Sequence, residues 1–212
     1  MKTVRDACVL QDNALSITVS DQIEQLDELI TTEGDGIAFF EKTHITGGMR
    51  DLLGGGIARL AAKSSNAVFH LKQAMGGGKT HLLVGMGLVA KSSKLRTARC
   101  SDIPYHDAFK SARVVAFNGR NNPPHYLWGE VAKQLDQPGK FTEFWMNGPK
   151  APDEKDWTDL LKSDTPTLIL LDEMPPYFQY YGTQTVGQGT VADIVTRAFA
   201  NMLSAAGKLS NV

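Results

Sequence analysis

Short unbroken apolar runs and longer stripes of period near 3.6 alternate along this chain. Three runs read as buried strands: Ala67-Val68-Phe69-His70-Leu71, Ala112-Arg113-Val114-Val115-Ala116-Phe117 and Thr167-Leu168-Ile169-Leu170-Leu171. Helical stripes lie around them. Ser20 can cap a helix that carries Ile23, Leu26, Leu29 and Ile30 on one face. Thr46 or Gly47 can open another, with Met49, Leu52, Leu53, Ile57, Leu60 and Ala61 facing one way. The triplet Gly54-Gly55-Gly56 interrupts it, and at about 1 kcal/mol per glycine it predicts a kink or two short helices. From Leu82 to Ala90 the chain is apolar nearly all round, which predicts a helix covered on several sides. In residues 126–135 the stripe is Leu127, Val131, Ala132 and Leu135. The clearest helix comes last. Thr190 with Asp193 forms a capping box, Val191, Ile194, Val195, Ala198, Phe199, Met202 and Leu203 form the stripe, and Gly207 fits the C-terminal cap.

The remaining stretches read as arms and loops. Residues 1–19 suggest a short strand or a loose arm, and residues 91–110 a polar surface insertion. Residues 136–163 are rich in Pro, Gly and charge, with Phe141, Phe144 and Trp145 as packing anchors. Met174-Pro175-Pro176 predicts no helix directly after Glu173. Tyr177, Phe178, Tyr180 and Tyr181 then read as packing under a polar loop at 182–189. Strands alternating with helices make this an α/β chain with a mostly parallel sheet flanked by helices. The expected division is a small helical N-terminal region at 1–63 and a core at 64–212.

Composition narrows the class. At 212 residues the chain is long enough for one α/β domain with a sizeable core. Lys+Arg 22 against Asp+Glu 23 gives a net charge of −1, which argues against bulk electrostatic binding to nucleic acid or an acidic membrane. Cys8 and Cys100 lack metal-ligand spacing and read as reduced thiols. His106 beside Asp107 matches no ligand pattern either. Neither a signal-peptide core nor a membrane-length apolar run is expected, so the expectation is a cytoplasmic protein.

The chemistry gathers at two places. Gln73-Ala74-Met75-Gly76-Gly77-Gly78-Lys79-Thr80-His81 follows one predicted strand and opens a predicted helix. That is the layout of a phosphate-binding P-loop. Glycines let backbone N–H groups converge on phosphate oxygens, and the helix points its positive end at them. Gly76, Gly77, Gly78, Lys79, Thr80 and His81 are therefore the candidate nucleotide contacts. Lys79 would reach the outer phosphates and assist catalysis, and the Thr80 hydroxyl would ligate Mg²⁺. The match has one departure: the slot five residues before Gly78 holds Gln73 rather than Gly. The second place is Asp172-Glu173 at the end of the Thr167 run. Asp172 is placed to hold the metal, and Glu173 to act as general base on an attacking water. Asn118-Gly119 reads as a turn at a strand end, and Arg197 as an exposed charge.

These blocks resemble the domain-of-unknown-function 499 family of prokaryotic P-loop ATPases. The resemblance rests on Gly76-Gly77-Gly78-Lys79-Thr80-His81 and Leu170-Leu171-Asp172-Glu173-Met174-Pro175-Pro176. It also rests on Phe39-Phe40-x-x-Thr43-x-Ile45-Thr46 and Leu127-Trp128-Gly129-Glu130-Val131-Ala132. It implies an AAA-like ATPase using ATP and Mg²⁺, in longer proteins often linked to DNA methyltransferases and anti-phage defence. DNA or a DNA-modifying enzyme is the partner class it allows, with no membrane and with a homo-oligomer for a full-length protein. It further implies a sensor strand between the P-loop strand and the Asp172 strand. That strand would start near Asn211, so the expectation is an N-terminal piece with a sheet incomplete at its C-terminus. The alternative is a nucleotide-binding scaffold or switch without turnover. A helicase or translocase is disfavoured by the neutral charge, a GTPase by the lack of Asn-Lys-x-Asp, and an ABC-type ATPase by the lack of Leu-Ser-Gly-Gly.

Overall fold

A computed structural model describes Leu26, residues 36–72 and residues 78–212. The expected helix after Ser20 and arm at 1–19 therefore lie, apart from Leu26, outside the described residues, as do Gly76 and Gly77. The described elements are α1 (Ile37–Lys42), α2 (Gly47–Leu60), α3 (Lys79–Lys91), α4 (Ser93–Arg99), β1 (Arg113–Asn118), α5 (Tyr126–Gln134), α6 (Glu154–Leu161), β2 (Thr167–Asp172), α7 (Met174–Gly182), β3 (Thr185–Val186), β4 (Gly189–Thr190) and α8 (Val191–Lys208).

β1 and β2 pair in parallel, with Arg113 opposite Thr167 and Asn118 opposite Asp172. Their side chains alternate between two cores, as the period of two requires. Val114, Ala116, Leu168 and Leu170 join a front core with α1 to α4, while Val115, Phe117, Ile169 and Leu171 join a back core with α5 to α8. The molecule is therefore three-layered: helices, a small parallel sheet, helices. β3 and β4 form a separate antiparallel pair. None of the described helices is long and apolar enough to cross a membrane.

The two outer edges of the small sheet differ. Gln134 covers that of β1. Its amide oxygen accepts from the Ala116 N–H at 2.9 Å, and its amide nitrogen donates to the Ala116 carbonyl at 3.0 Å. A side-chain amide thus occupies the ladder positions a neighbouring strand would use. On the other side, the Thr167 N–H donates to the Asn211 carbonyl at 3.0 Å.

Several local expectations are corrected. Ala67–Leu71 is not a buried strand: no ladder includes it, and Val68 and Phe69 are 48% and 37% exposed. An apolar run becomes a strand only where a neighbouring backbone satisfies it. Here Phe69 packs instead on α2, where a Cβ at Gly55 would lie 2.6 Å from its ring. α2 is one helix through Gly54-Gly55-Gly56 rather than two. Its glycines form a notch, since a Cβ at Gly56 would lie 2.6 Å from the Met86 methyl of α3. Close packing offsets the propensity cost. α7 forms despite its prolines, which fall in its first turn, where the N–H groups have no intrahelical partner to lose. Helices α4 and α6 arise within the stretches read as loops. α8 continues one residue beyond Gly207, to Lys208.

Buried cations tie the layers to their connections. The Arg96 guanidinium donates to the Val89 and Ala90 carbonyls at 2.8 and 3.1 Å, to those of His106 and Lys110 at 2.8 and 3.1 Å, and to that of Phe109. It thereby pins the segment before β1 to the end of α3. Arg59 of α2 donates to the Val212, Ala206 and Ser64 carbonyls at 2.7, 2.8 and 2.9 Å and to that of Leu209. This satisfies carbonyls that the end of α8 leaves unpaired.

Candidate functional site

The C-terminal ends of β1 and β2 and the N-terminal end of α3 converge, and α3 packs on both strands. Ligands in parallel α/β sheets gather at such an edge. Gly78 precedes α3 with φ 73° and ψ 23°, in the left-handed region. A Cβ there would meet no described residue within 4 Å, and the backbone angle alone favours glycine. Lys79 and Thr80 are the first two residues of α3.

The central contact joins the two motifs. The Thr80 hydroxyl donates to Oδ2 of Asp172 at 2.5 Å across 92 residues of sequence. The other oxygen of Asp172 accepts from the Glu173 N–H at 3.0 Å. A hydroxyl and a carboxylate at this separation are two hard oxygen donors of the kind that Mg²⁺ selects. Among the described residues, no cluster of three or more His, Cys, Asp or Glu could hold a metal. A Mg²⁺ bound by Thr80 and Asp172 would therefore complete its shell with phosphate and water oxygens, as Mg²⁺ commonly does.

Glu173 sits at the turn between β2 and α7 in the left-handed conformation, with φ 51° and ψ 39°. Such angles in a non-glycine residue are uncommon and are held only when the surroundings enforce them. Gly119 helps to do so. Its N–H donates to the Asp172 carbonyl at 2.8 Å, and a Cβ on it would lie 2.3 Å from the Glu173 carbonyl oxygen. The Glu173 side chain, 43% exposed, faces the Arg120 guanidinium at 3.6 Å.

The structure thus brings together Gly78, Lys79, Thr80, Asp172 and Glu173. His81 follows in the first turn of α3, and its ring turns toward α1, stacking on Phe39 and bonding to Thr43. Asn118 acts as a turn residue, its Oδ1 accepting from the Arg120 N–H at 2.9 Å. Arg197 is exposed. Residue patterning missed Gly119 and Arg120. The Asn118-Gly119 turn was visible, but the backbone approach that demands glycine there has no local signature.

A half-buried polar network lies on α5. Glu130 accepts from His125 at 2.6 Å and from Gln134 at 2.8 Å. Burial pushes its carboxyl up, but the bonds from Gln134 and His125 and the charge of Lys133 outweigh this and hold it below its ordinary value. The Tyr177 hydroxyl accepts from the Leu127 N–H at 2.7 Å, and burial pushes its pKa well above the usual range. Burial likewise pushes Tyr181 up to about 12. These phenols stay neutral and serve packing.

Residues 11–101 match the model of the DUF499 N-terminal domain, which supports the DUF499 family for this chain. The match takes in α1 to α4 and the Gly78-Lys79-Thr80 turn, and it ends before β1. No curated protein and no solved structure matches the chain.

Proposed function

We propose that this DUF499-type chain binds Mg·ATP at the N-terminus of α3 and hydrolyses it. The hydrogen bond from Thr80 to Asp172 carries the reading. It unites a glycine-turn hydroxyl and a strand-end carboxylate that have no local reason to meet. In this reading, backbone N–H groups from Gly78 onward and the Lys79 ammonium bind the phosphates, aided by the helix dipole. Thr80 and Asp172 hold Mg²⁺, which when bound neutralises charge developing on the phosphate oxygens. The Glu173 carboxylate accepts the proton of the attacking water. AAA-like coupling of this hydrolysis to a DNA-linked defence process is the wider expectation from the family resemblance.

Lys79→Ala should lose nucleotide binding. Glu173→Gln should bind with near-normal affinity and lose turnover by about 10²-fold or more, within the range general-base catalysis supplies. Titration calorimetry and a phosphate-release assay check both. Unchanged turnover in Glu173→Gln would remove its role as base.

A second reading is nucleotide binding without turnover. The Arg120–Glu173 ion pair supports it, because a carboxylate facing a guanidinium is occupied before any water arrives. Arg120→Ala decides between them. Under the first reading turnover persists or rises a few-fold, since an exposed pair is worth about 1 kcal/mol or less. Under the second, the wild type binds without turnover, and Arg120→Ala, which frees the carboxylate, gains it.

A further inference from the structure

Residues 81, 85 and 88 of α3 recur at helical spacing and lie on one face. That face receives α1. The His81 ring stacks on Phe39, with centroids 4.4 Å apart and planes at 27°. A Cβ at Gly85 would lie 3.4 Å from the Phe39 ring, and one at Gly36 would lie 3.3 Å from Leu88. Reading Gly36, Phe39 and Thr43 against Leu88, Gly85 and His81 shows that α1 runs antiparallel to α3. The exit of α1 therefore arrives at the first turn of α3, the turn that would receive phosphate.

A polar contact sits at that exit. The Thr43 hydroxyl donates to the Phe39 carbonyl at 2.7 Å. Its single proton is thereby committed, so in its 2.9 Å contact with His81 Nε2 it accepts. His81 therefore carries a proton on Nε2 and donates. The face around Gly85 and Leu88 is apolar and sets no register of its own, whereas a directional hydrogen bond does. Three residues on, Thr46 caps α2 by accepting from the Met49 N–H at 3.3 Å.

We propose that Thr43, Phe39 and His81 form a clasp through which nucleotide at the start of α3 orders α1. His81 is thereby a positioning residue, whatever contact its backbone makes with phosphate. The inference rests on the Mg·ATP reading above. Phosphate binding fixes the first turn of α3, and the clasp carries that order to α1 and toward the cap of α2. By linkage, an ordered α1 raises nucleotide affinity by the same factor. Losing one such bond corresponds to about 2- to 10-fold in affinity.

Hydrogen exchange read by mass spectrometry, with and without Mg·ATP, tests this on the whole chain. In the wild type, nucleotide should slow exchange in the first turn of α3 and in α1, where the Phe40 N–H bonds the Gly36 carbonyl at 3.2 Å. Thr43→Val keeps the shape and removes the acceptor. It should retain the slowing in α3, lose it in α1, and bind Mg·ATP about 2- to 10-fold more weakly. His81→Gln, which keeps an N–H donor, should restore more of the α1 response than His81→Leu. Slowing in α3 without α1 in the wild type, or an unchanged α1 response in Thr43→Val, overturns the clasp and leaves the nucleotide reading standing. No slowing in either place overturns the nucleotide reading and the clasp with it.

Discussion

The front and back layers bury their faces of the sheet by different means. The back layer is aromatic and fully packed. Trp128, Phe141, Trp157 and Tyr177 are each 0% exposed, and capping boxes at Asp153/Asp156 and Thr190/Asp193 start α6 and α8. The front layer is built on glycine notches: the Phe69 ring fills that at Gly55, and the flexible Met86 and Met49 fill those at Gly56 and Gly85. Every described residue of the glycine turn belongs to the front, whereas Asp172 and Glu173 stand at the end of the strand between the layers. Rigid aromatic packing suits a wall, and unbranched methionines against glycine suit a surface whose helices adjust. The contrast suggests a fixed back wall that presents the acids to an adaptable front that presents the phosphate turn.

Trp157→Ala should have the largest effect. Removing this fully buried indole of α6, which packs edge-on against Phe141, should cost about 3–5 kcal/mol, read from urea unfolding. Gly56→Ala is its front counterpart. The added methyl meets only the flexible end of Met86, so the expected cost is near the low end of about 1–3 kcal/mol. Equal costs for the two would break the comparison. Trp157→Phe sharpens it from the other side. The indole N–H groups of Trp128, Trp145 and Trp157 meet no acceptor among the described residues, so losing one also removes an unpaired buried donor. That substitution should cost well under half of Trp157→Ala.

Gly119→Ala comes next. Its methyl would meet backbone, the Glu173 carbonyl at 2.3 Å, which cannot swing aside as Met86 can. Stability should fall by about 1–3 kcal/mol, and turnover should fall more than nucleotide affinity because Glu173 is displaced and Lys79 is not. Equal loss of both would place Gly119 outside the acid turn.

The smallest effect is in pH. Glu130 titrates below its ordinary value in the folded state. Its contribution is therefore present above the ordinary carboxylate range, near pH 4.3, and is lost as pH falls through the lower folded value. Between about pH 5 and 3 the wild type should lose stability faster than Glu130→Gln. Parallel curves would show that the bonds from His125 and Gln134 add nothing to folding.

Much of this arrangement was legible from local pattern. The α8 stripe, the capping box and the two strands ending at Asn118 and Asp172 have short-range signatures. So do Lys79-Thr80 and Asp172-Glu173, although their meeting does not. What escaped depends on neighbours. Ala67–Leu71 has the composition of a strand, but its fate depends on a partner ladder. Gly54-Gly55-Gly56 looks like a break until Phe69 and Met86 fill it. Pro175 and Pro176 read as blockers, although a helix that starts at Met174 tolerates them. α6 could have been found: Asp153 and Asp156 mark its start, and Trp157, Leu160 and Leu161 share a face.

The most direct test of the central claim is a double-mutant cycle on Mg·ATP affinity with Thr80→Val and Asp172→Asn. If the two side chains form one metal site, each single change should remove most of the Mg²⁺-dependent affinity. The double variant should then lose little more, giving a coupling of at least about 1 kcal/mol. Losses that simply add, or affinity indifferent to both changes, would contradict the account: the bond between Thr80 and Asp172 would then be a structural contact and nothing more.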